Sequence, residues 1–158
     1  GETMTATGPI APFQGATNIN LTADGLWVGG TITSTSGAAN GQAVTTGLLT
    51  EELVIAAAAD STTAIEIPAG AQVTAVSVRV TTEIPTAATF DVGVVAALTR
   101  YGTGLAVAAG TTNPGTNDGV RFYAGGTPII ITPNAPPLDN TGRVRVTIHY
   151  TTVTPPTS

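Results

Sequence analysis

Residues 143–153, RVRVTIHYTTV, alternate without a break. Val144, Val146, Ile148 and Tyr150 fall on one parity; Arg143, Arg145, Thr147, His149 and Thr151 fall on the other. Successive side chains of a strand leave opposite faces, so this period of two describes a half-buried β-strand and does not suit a helix. The apolar parity is expected to fill a core. The Arg/His/Thr parity is expected to face solvent or a neighbouring subunit. The stretch therefore reads as the closing strand of a sandwich.

The same signal recurs upstream in shorter pieces. TTAIEI ends with Ile65 and Ile67 on one parity, and PAGA follows, with Pro68 and Gly70 suited to a tight turn. QVTAVSVRVTT sets Val76, Val78 and Val80 against Ser77, Arg79 and Thr81. TFDVGVV groups Phe90, Val92 and Val94, and VRFYA (120–124) and PIIIT (128–132) are shorter runs of the same kind. Short β-branched segments separated by turn residues describe a sandwich or a barrel. TEELVIAAAA, from Thr50, is the one rival for a helix, with Thr50 a suitable cap. Its bulky, branched Leu53–Ile55 centre favours a strand.

Three zones follow: an extended Gly/Thr-rich N-terminal arm over 1–48, a β-sandwich over 49–153, and a C-terminal tail over 154–158. The prolines of TPPTS keep that tail out of a ladder. The arm holds only strand-like patches such as INLTADGLWVGG (19–30), and no repeat of fixed period is evident. The first residues, GETMTATGPIAPFQG, lack the basic region and long apolar core of a secretory signal. The longest apolar run, LVIAAAA, is far short of the ~20 residues that span a bilayer as a helix.

Charge is the most informative part of the composition. Only 9% of the 158 residues are charged, against roughly 25% in an ordinary soluble domain. The five basic residues are all arginine, and ten acidic residues leave a net charge of −5. A folded monomer of this mass exposes roughly 7,000 Å², so about 500 Å² of surface carries each charge. Such a surface is expected to be covered in part by copies of the chain or by another assembly. A GC-rich genome favouring Ala, Gly, Thr and Arg would give the same bias. The acidic balance argues against nucleic acid as a partner, and no basic amphipathic helix points to a membrane. With no cysteine, no disulfide, thiolate ligand or cysteine nucleophile is available.

Several stretches, in order, resemble a β-rich domain of tailed-bacteriophage virion structural proteins, found in capsid decoration proteins and at the C-termini of fibres. They are IEIPAGAQVTAVSVRVTTEI (65–84), TFDVGV (89–94), RYGTGLAVAAGTTN (100–113), FYAGGTPIIIT (122–132) and TGRVRVTIHY (141–150). The first 50 residues carry no such likeness, and the apolar VVAALT before RYG departs from the longer polar segment usual there. The resemblance implies a virion structural role, an all-β, jelly-roll-like antiparallel sandwich and a symmetric oligomer. It implies no catalytic residue.

The candidate chemistry is thin. His149 would need a nucleophile and an orienting carboxylate to act as a base, and no G-x-S-x-G elbow is present. It reads as an outward residue of the last strand, or as part of a subunit contact. Arg143 and Arg145 leave one face about 6.6 Å apart and call for acceptors. Glu66, Glu83, Asp91 or a partner subunit could supply these for them and for Arg79; a sugar or sulfate site is the sharper reading. Glu51 and Glu52 are adjacent and would point to opposite faces of a strand, unlike the paired carboxylates of a glycosidase, and 4% aromatic content offers few sugar platforms. NPGTNDG (113–119) clusters oxygen side chains, but one carboxylate suits a turn better than a calcium site. YGTGLA lacks the third glycine and strand-to-helix context of a nucleotide loop. Trp27, in GLWVGG, reads as a core plug or an interface anchor, the latter favoured because its flanking glycines allow close backbone approach.

No catalytic residue, cofactor or metal is expected, and Trp27, Arg79, Arg143, Arg145 and His149 are the interface candidates. The favoured reading is a capsid-surface decoration (cement) protein on the outside of the phage particle. It would act as a homotrimer, binding the major capsid protein or another virion protein and stabilising the head across capsomers. The alternative is the receptor-binding tip of a tail or head fibre, with loops such as 100–119 touching host glycan. A hydrolase is a distant third.

Overall fold

The computed structural model describes residues 32–35 and 43–155. Among them the chain is all-β, with ten strands and no helix. They are β1 (Ile32–Thr35), β2 (Ala43–Val54), β3 (Ser61–Ile67), β4 (Ala71–Thr82) and β5 (Thr89–Val94). β6 (Ala97–Ala106), β7 (Thr112–Asn113), β8 (Arg121–Tyr123), β9 (Thr127–Pro133) and β10 (Arg143–Thr154) complete the set. Thr50–Val54 thus belong to a strand, as their branching suggests. Of the arm expected over 1–48, residues 1–31 and 36–42 lie outside the described residues; Ile32–Thr35 and Ala43 onward pair as strands.

One sheet runs β1-β2-β10-β4-β7, with β8 also on β4; the other runs β3-β9-β5-β6. All pairings are antiparallel. The chain order explains the layout. β2 pairs with β10, β3 with β9, β4 with β8 and β5 with β6, so one long hairpin is rolled up with its successive rungs alternating between sheets. That is the jelly-roll arrangement, a way to bury both inner faces while leaving few strand edges.

β10 is central because its alternation is the most regular. It carries ladders on both sides, to β2 and to β4, and its Val144, Val146 and Ile148 are fully buried. Opposite them lie Val92, Ile129, Ile131 and Phe90 of the second sheet, in the same core cluster as Val76, Val78 and Val80. Each such side chain contributes about 1.5–3 kcal/mol by leaving water. Tyr150 ends the apolar series half-buried, its ring lying over Gly47, its direct partner on β2.

The parity of β4 changes midway. A register shift between His149 and Tyr150 leaves Thr74 as an extra residue, so Ala75 and Val76 are both buried and Val73 and Ala71 take over the inward face. Such a bulge twists the strand locally. The glycine-rich stretch 100–119, taken above as loops, starts as strand: Arg100–Ala106 belong to β6. The reason is Tyr101, which points inward and is 1% exposed, anchoring a segment whose glycines read as a loop.

Candidate functional site

The outward face of the β2-β10-β4 sheet carries most of the residues singled out from sequence. Its rows follow from the register. Glu52, Arg145 and Arg79 stand side by side across β2, β10 and β4; Thr50, Thr147 and Ser77 form the next row; Leu48, His149 and Ala75 the next. Thr46, Thr151, Gln72 and, on β8, Phe122 form the last. Thr50 and Thr147 hydroxyls are 3.1 Å apart, and those of Thr46 and Thr151 3.4 Å. Cross-strand hydroxyl pairs of this kind hold register on a wet face.

Four of the five interface candidates can be placed. His149 is half-buried, with Nε2 2.8 Å from Ser77 Oγ and, among the described residues, no hydrogen bond to a carboxylate, so the ring is tied to the neighbouring strand of the sheet. Arg145 is exposed and lies 3.4 Å from Glu52, not from Glu66, Glu83 or Asp91. Those three sit elsewhere; Asp91 accepts a bond from the Gly104 amide in its own hairpin. Glu52 also accepts from Thr81 Oγ1 at 2.9 Å, reaching across β10 to do so. Arg143 is half-buried opposite Val54 and Thr82. Arg79 is exposed and takes part in none of the ion pairs among the described residues. Trp27 lies outside the described residues.

Arg79 and Arg145 flank a shallow depression of about 410 Å³, walled on the far side by Thr112, Asn113 and Pro114. β7 and the turn after it rise beside β4 and make that wall. Among the described residues no carboxylate lines it, and Ser77 and Thr147 are part of its lining. Sequence spacing located the arginines but not this wall, which depends on β7 returning to β4 from more than thirty residues away.

Beyond this charged row the face turns apolar. Leu48 is 56% exposed and Phe122 65%, and Val44 and Val153, directly opposite each other, are exposed as well. Glu51 and Glu52 diverge: Glu51 accepts from the backbone amides of Ala64 and Ile65 at 2.8 and 2.9 Å, while Glu52 stays on the outer face. Two carboxylates used in this way cannot flank a scissile bond.

A second polar cluster sits at the β6–β8 end. Asp118 pairs with Arg121 at 2.9 Å and with Arg100 at 3.0 Å. Arg100 Nη1 donates to Tyr123 Oη, which lies 2.6 Å from Tyr101 Oη. The hydrogen bond from Arg121 holds the Asp118 carboxyl below the usual carboxylate range. Burial, reinforced by Tyr123, pushes the Tyr101 hydroxyl far above the usual phenol range. In the 113–119 turn, Asn113 accepts from the Gly115 amide and donates to the Tyr101 carbonyl, so its oxygen and that of Asp118 are committed within the fold. No group of three or more His, Asp or Glu side chains among the described residues is arranged for a metal. Nothing in the spacing of Tyr101 and Tyr123 announced this network; Asp118 and Arg121, three apart, were its one local sign.

No protein-family model matches the chain, and no curated protein matches it. Among solved structures, the chain is similar to a chain of the cyanophage Pam1 capsid asymmetric unit, with a TM-score of 0.50 and 23% sequence identity. The likeness covers 90% of this chain and 99% of that one. It is a likeness of fold.

Proposed function

We propose that the protein is a structural component of a bacteriophage virion, a decoration protein that binds the outer surface of the head as a trimer and stabilises the shell without catalysing a reaction. The observation that carries this reading is the end-to-end fold likeness to a chain of a phage capsid asymmetric unit. The outer sheet face supports it independently. Leu48, Val44, Val153 and Phe122 leave apolar area on a regular, rigid surface of a chain with 9% charged residues. Such area is suited to burial against another protein. A ligand that binds only the closed shell stabilises that shell in proportion to occupancy.

The test uses capsids prepared without the protein. Added protein is expected to co-sediment with them at a fixed stoichiometry and to raise their melting temperature, and sedimentation velocity of the free protein is expected to give a trimer. Failure to bind capsids, together with binding to host cells, would replace this reading with that of a fibre tip. A free monomer that binds neither would sink both.

A further inference from the structure

We infer that the depression between Arg79 and Arg145 is an oxyanion site, filled by a carboxylate side chain from an adjacent protein subunit. The register puts these two arginines directly opposite each other on β4 and β10. Like charges in that position destabilise a sheet unless something lies between them. Among the described residues the carboxylate paired with Arg145 is Glu52, on the side away from Arg79. It is only 3.4 Å from Arg145 at its nearest and is shared with Thr81. Arg79 draws no ion pair from the described residues. The pair therefore has more donors than acceptors. Two guanidinium groups present planar forks that match a carboxylate or a sulfate. Ser77, Thr147 and Thr112 line the same depression, with the Ser77 and Thr147 hydroxyls engaged by His149 and Thr50, so the two guanidinium groups are the charged donors of the site.

The surroundings favour a protein-borne carboxylate over a sugar acid. Among the described residues no aromatic ring lines the depression; Phe122 is at the other end of the face, too far to stack a sugar held at the arginines. The same face exposes Leu48 and Val153, which suit an apolar protein surface. Copies of this chain, at net charge −5, carry an excess of carboxylates to present. The identity of the occupant rests on the assembly proposed above; the anion site itself does not.

The site is tested on the isolated protein by comparing sodium sulfate with sodium chloride at matched ionic strength. Exchange of chloride for sulfate is expected to raise the melting temperature of the wild type by about 3 °C more than it raises that of Arg79→Gln or Arg145→Gln, each protein being compared with itself in chloride. Equal responses in all three proteins would overturn the site. The occupant is tested by calorimetric titration with hexaglutamate and with hexagalacturonate at equal carboxylate concentration. Hexaglutamate is expected to bind, at least tenfold more weakly to either variant; binding of the sugar acid alone would overturn the protein-borne occupant. A sulfate response with no capsid binding would remove the assembly reading and leave the site standing, so the two failures are separable.

Discussion

The hydroxyls of Tyr101 and Tyr123 lie 2.6 Å apart and tie β6 of one sheet to β8 of the other. Tyr123 also accepts from Arg100, so it is the shared partner of two groups, whereas the Tyr101 hydroxyl, among the described residues, bonds Tyr123 alone. Removing the Tyr123 hydroxyl leaves the buried Tyr101 hydroxyl without its partner and Arg100 with Asp118 alone; removing that of Tyr101 leaves Tyr123 bonded to Arg100. A buried polar group without a partner costs about 1–3 kcal/mol, against about 1 kcal/mol for a bond lost with its partner still served. Tyr123→Phe is thus expected to destabilise by about 2 kcal/mol and Tyr101→Phe by about 1 kcal/mol, read from urea unfolding. Equal losses would show that Arg100 does not depend on Tyr123.

Gly115 and Gly119 form a matched pair. Both have left-handed backbones, with φ of 67° and 65°. A Cβ on Gly115 would run into the Val76 carbonyl, while one on Gly119 would meet open space. Gly119→Ala is expected to cost about 1 kcal/mol, the left-handed penalty alone. Gly115→Ala adds a backbone collision at the point where the Val76 amide bonds the Gly115 carbonyl, and is expected to cost about 3 kcal/mol or more. Denaturation midpoints of the two variants decide it.

Thr86 is the one non-glycine residue with positive φ among the described residues, at 72°, just after Pro85. A β-branched side chain is strained there. Thr86→Gly is expected to raise stability by about 1 kcal/mol, an unusual direction for a glycine substitution, and a lower melting temperature would contradict the strain.

Two carboxylates link stability to pH. The Arg121 hydrogen bond lowers the pKa of Asp118, and the hydroxyl and amide of Thr141 lower that of Asp139. Their stabilising effect is complete above the unfolded-state value near 4 and is lost as pH falls through the lower folded values. Unfolding midpoints are expected to drop on acidification below about pH 4, and to drop less in Asp118→Asn. A profile unchanged by that substitution would show that the Asp118 contacts carry no proton linkage.

Leu48 separates stability from assembly. It is exposed on the outer face, so Leu48→Glu is expected to change the stability of the isolated domain by no more than about 0.5 kcal/mol. If the face docks on the head, the same change should weaken capsid binding at least tenfold in a co-sedimentation titration.

Alternation alone marked the strands of the regular zone, β10 above all, and which side of each is dry, because a period of two is a local property. Val144, Val146 and Ile148 are buried, and Arg145 exposed, as alternation requires. The sequence by itself also determined that the surface would be poor in charge. Local pattern misjudged 100–106, where glycines imitate a loop and the inward pull of Tyr101 comes from a partner 22 residues away. Only the tertiary structure decided what stands beside what. The opposition of Arg79 to Arg145, the reach of Glu52 to Thr81 and the wall raised by β7 all follow from register between distant strands. Register is set by how two sheets share one core, with two shifts in the β4–β10 ladder, one at Thr74 and one beside Arg143. No short stretch of sequence contains that information, since the energy that selects it is spread over the whole buried interface.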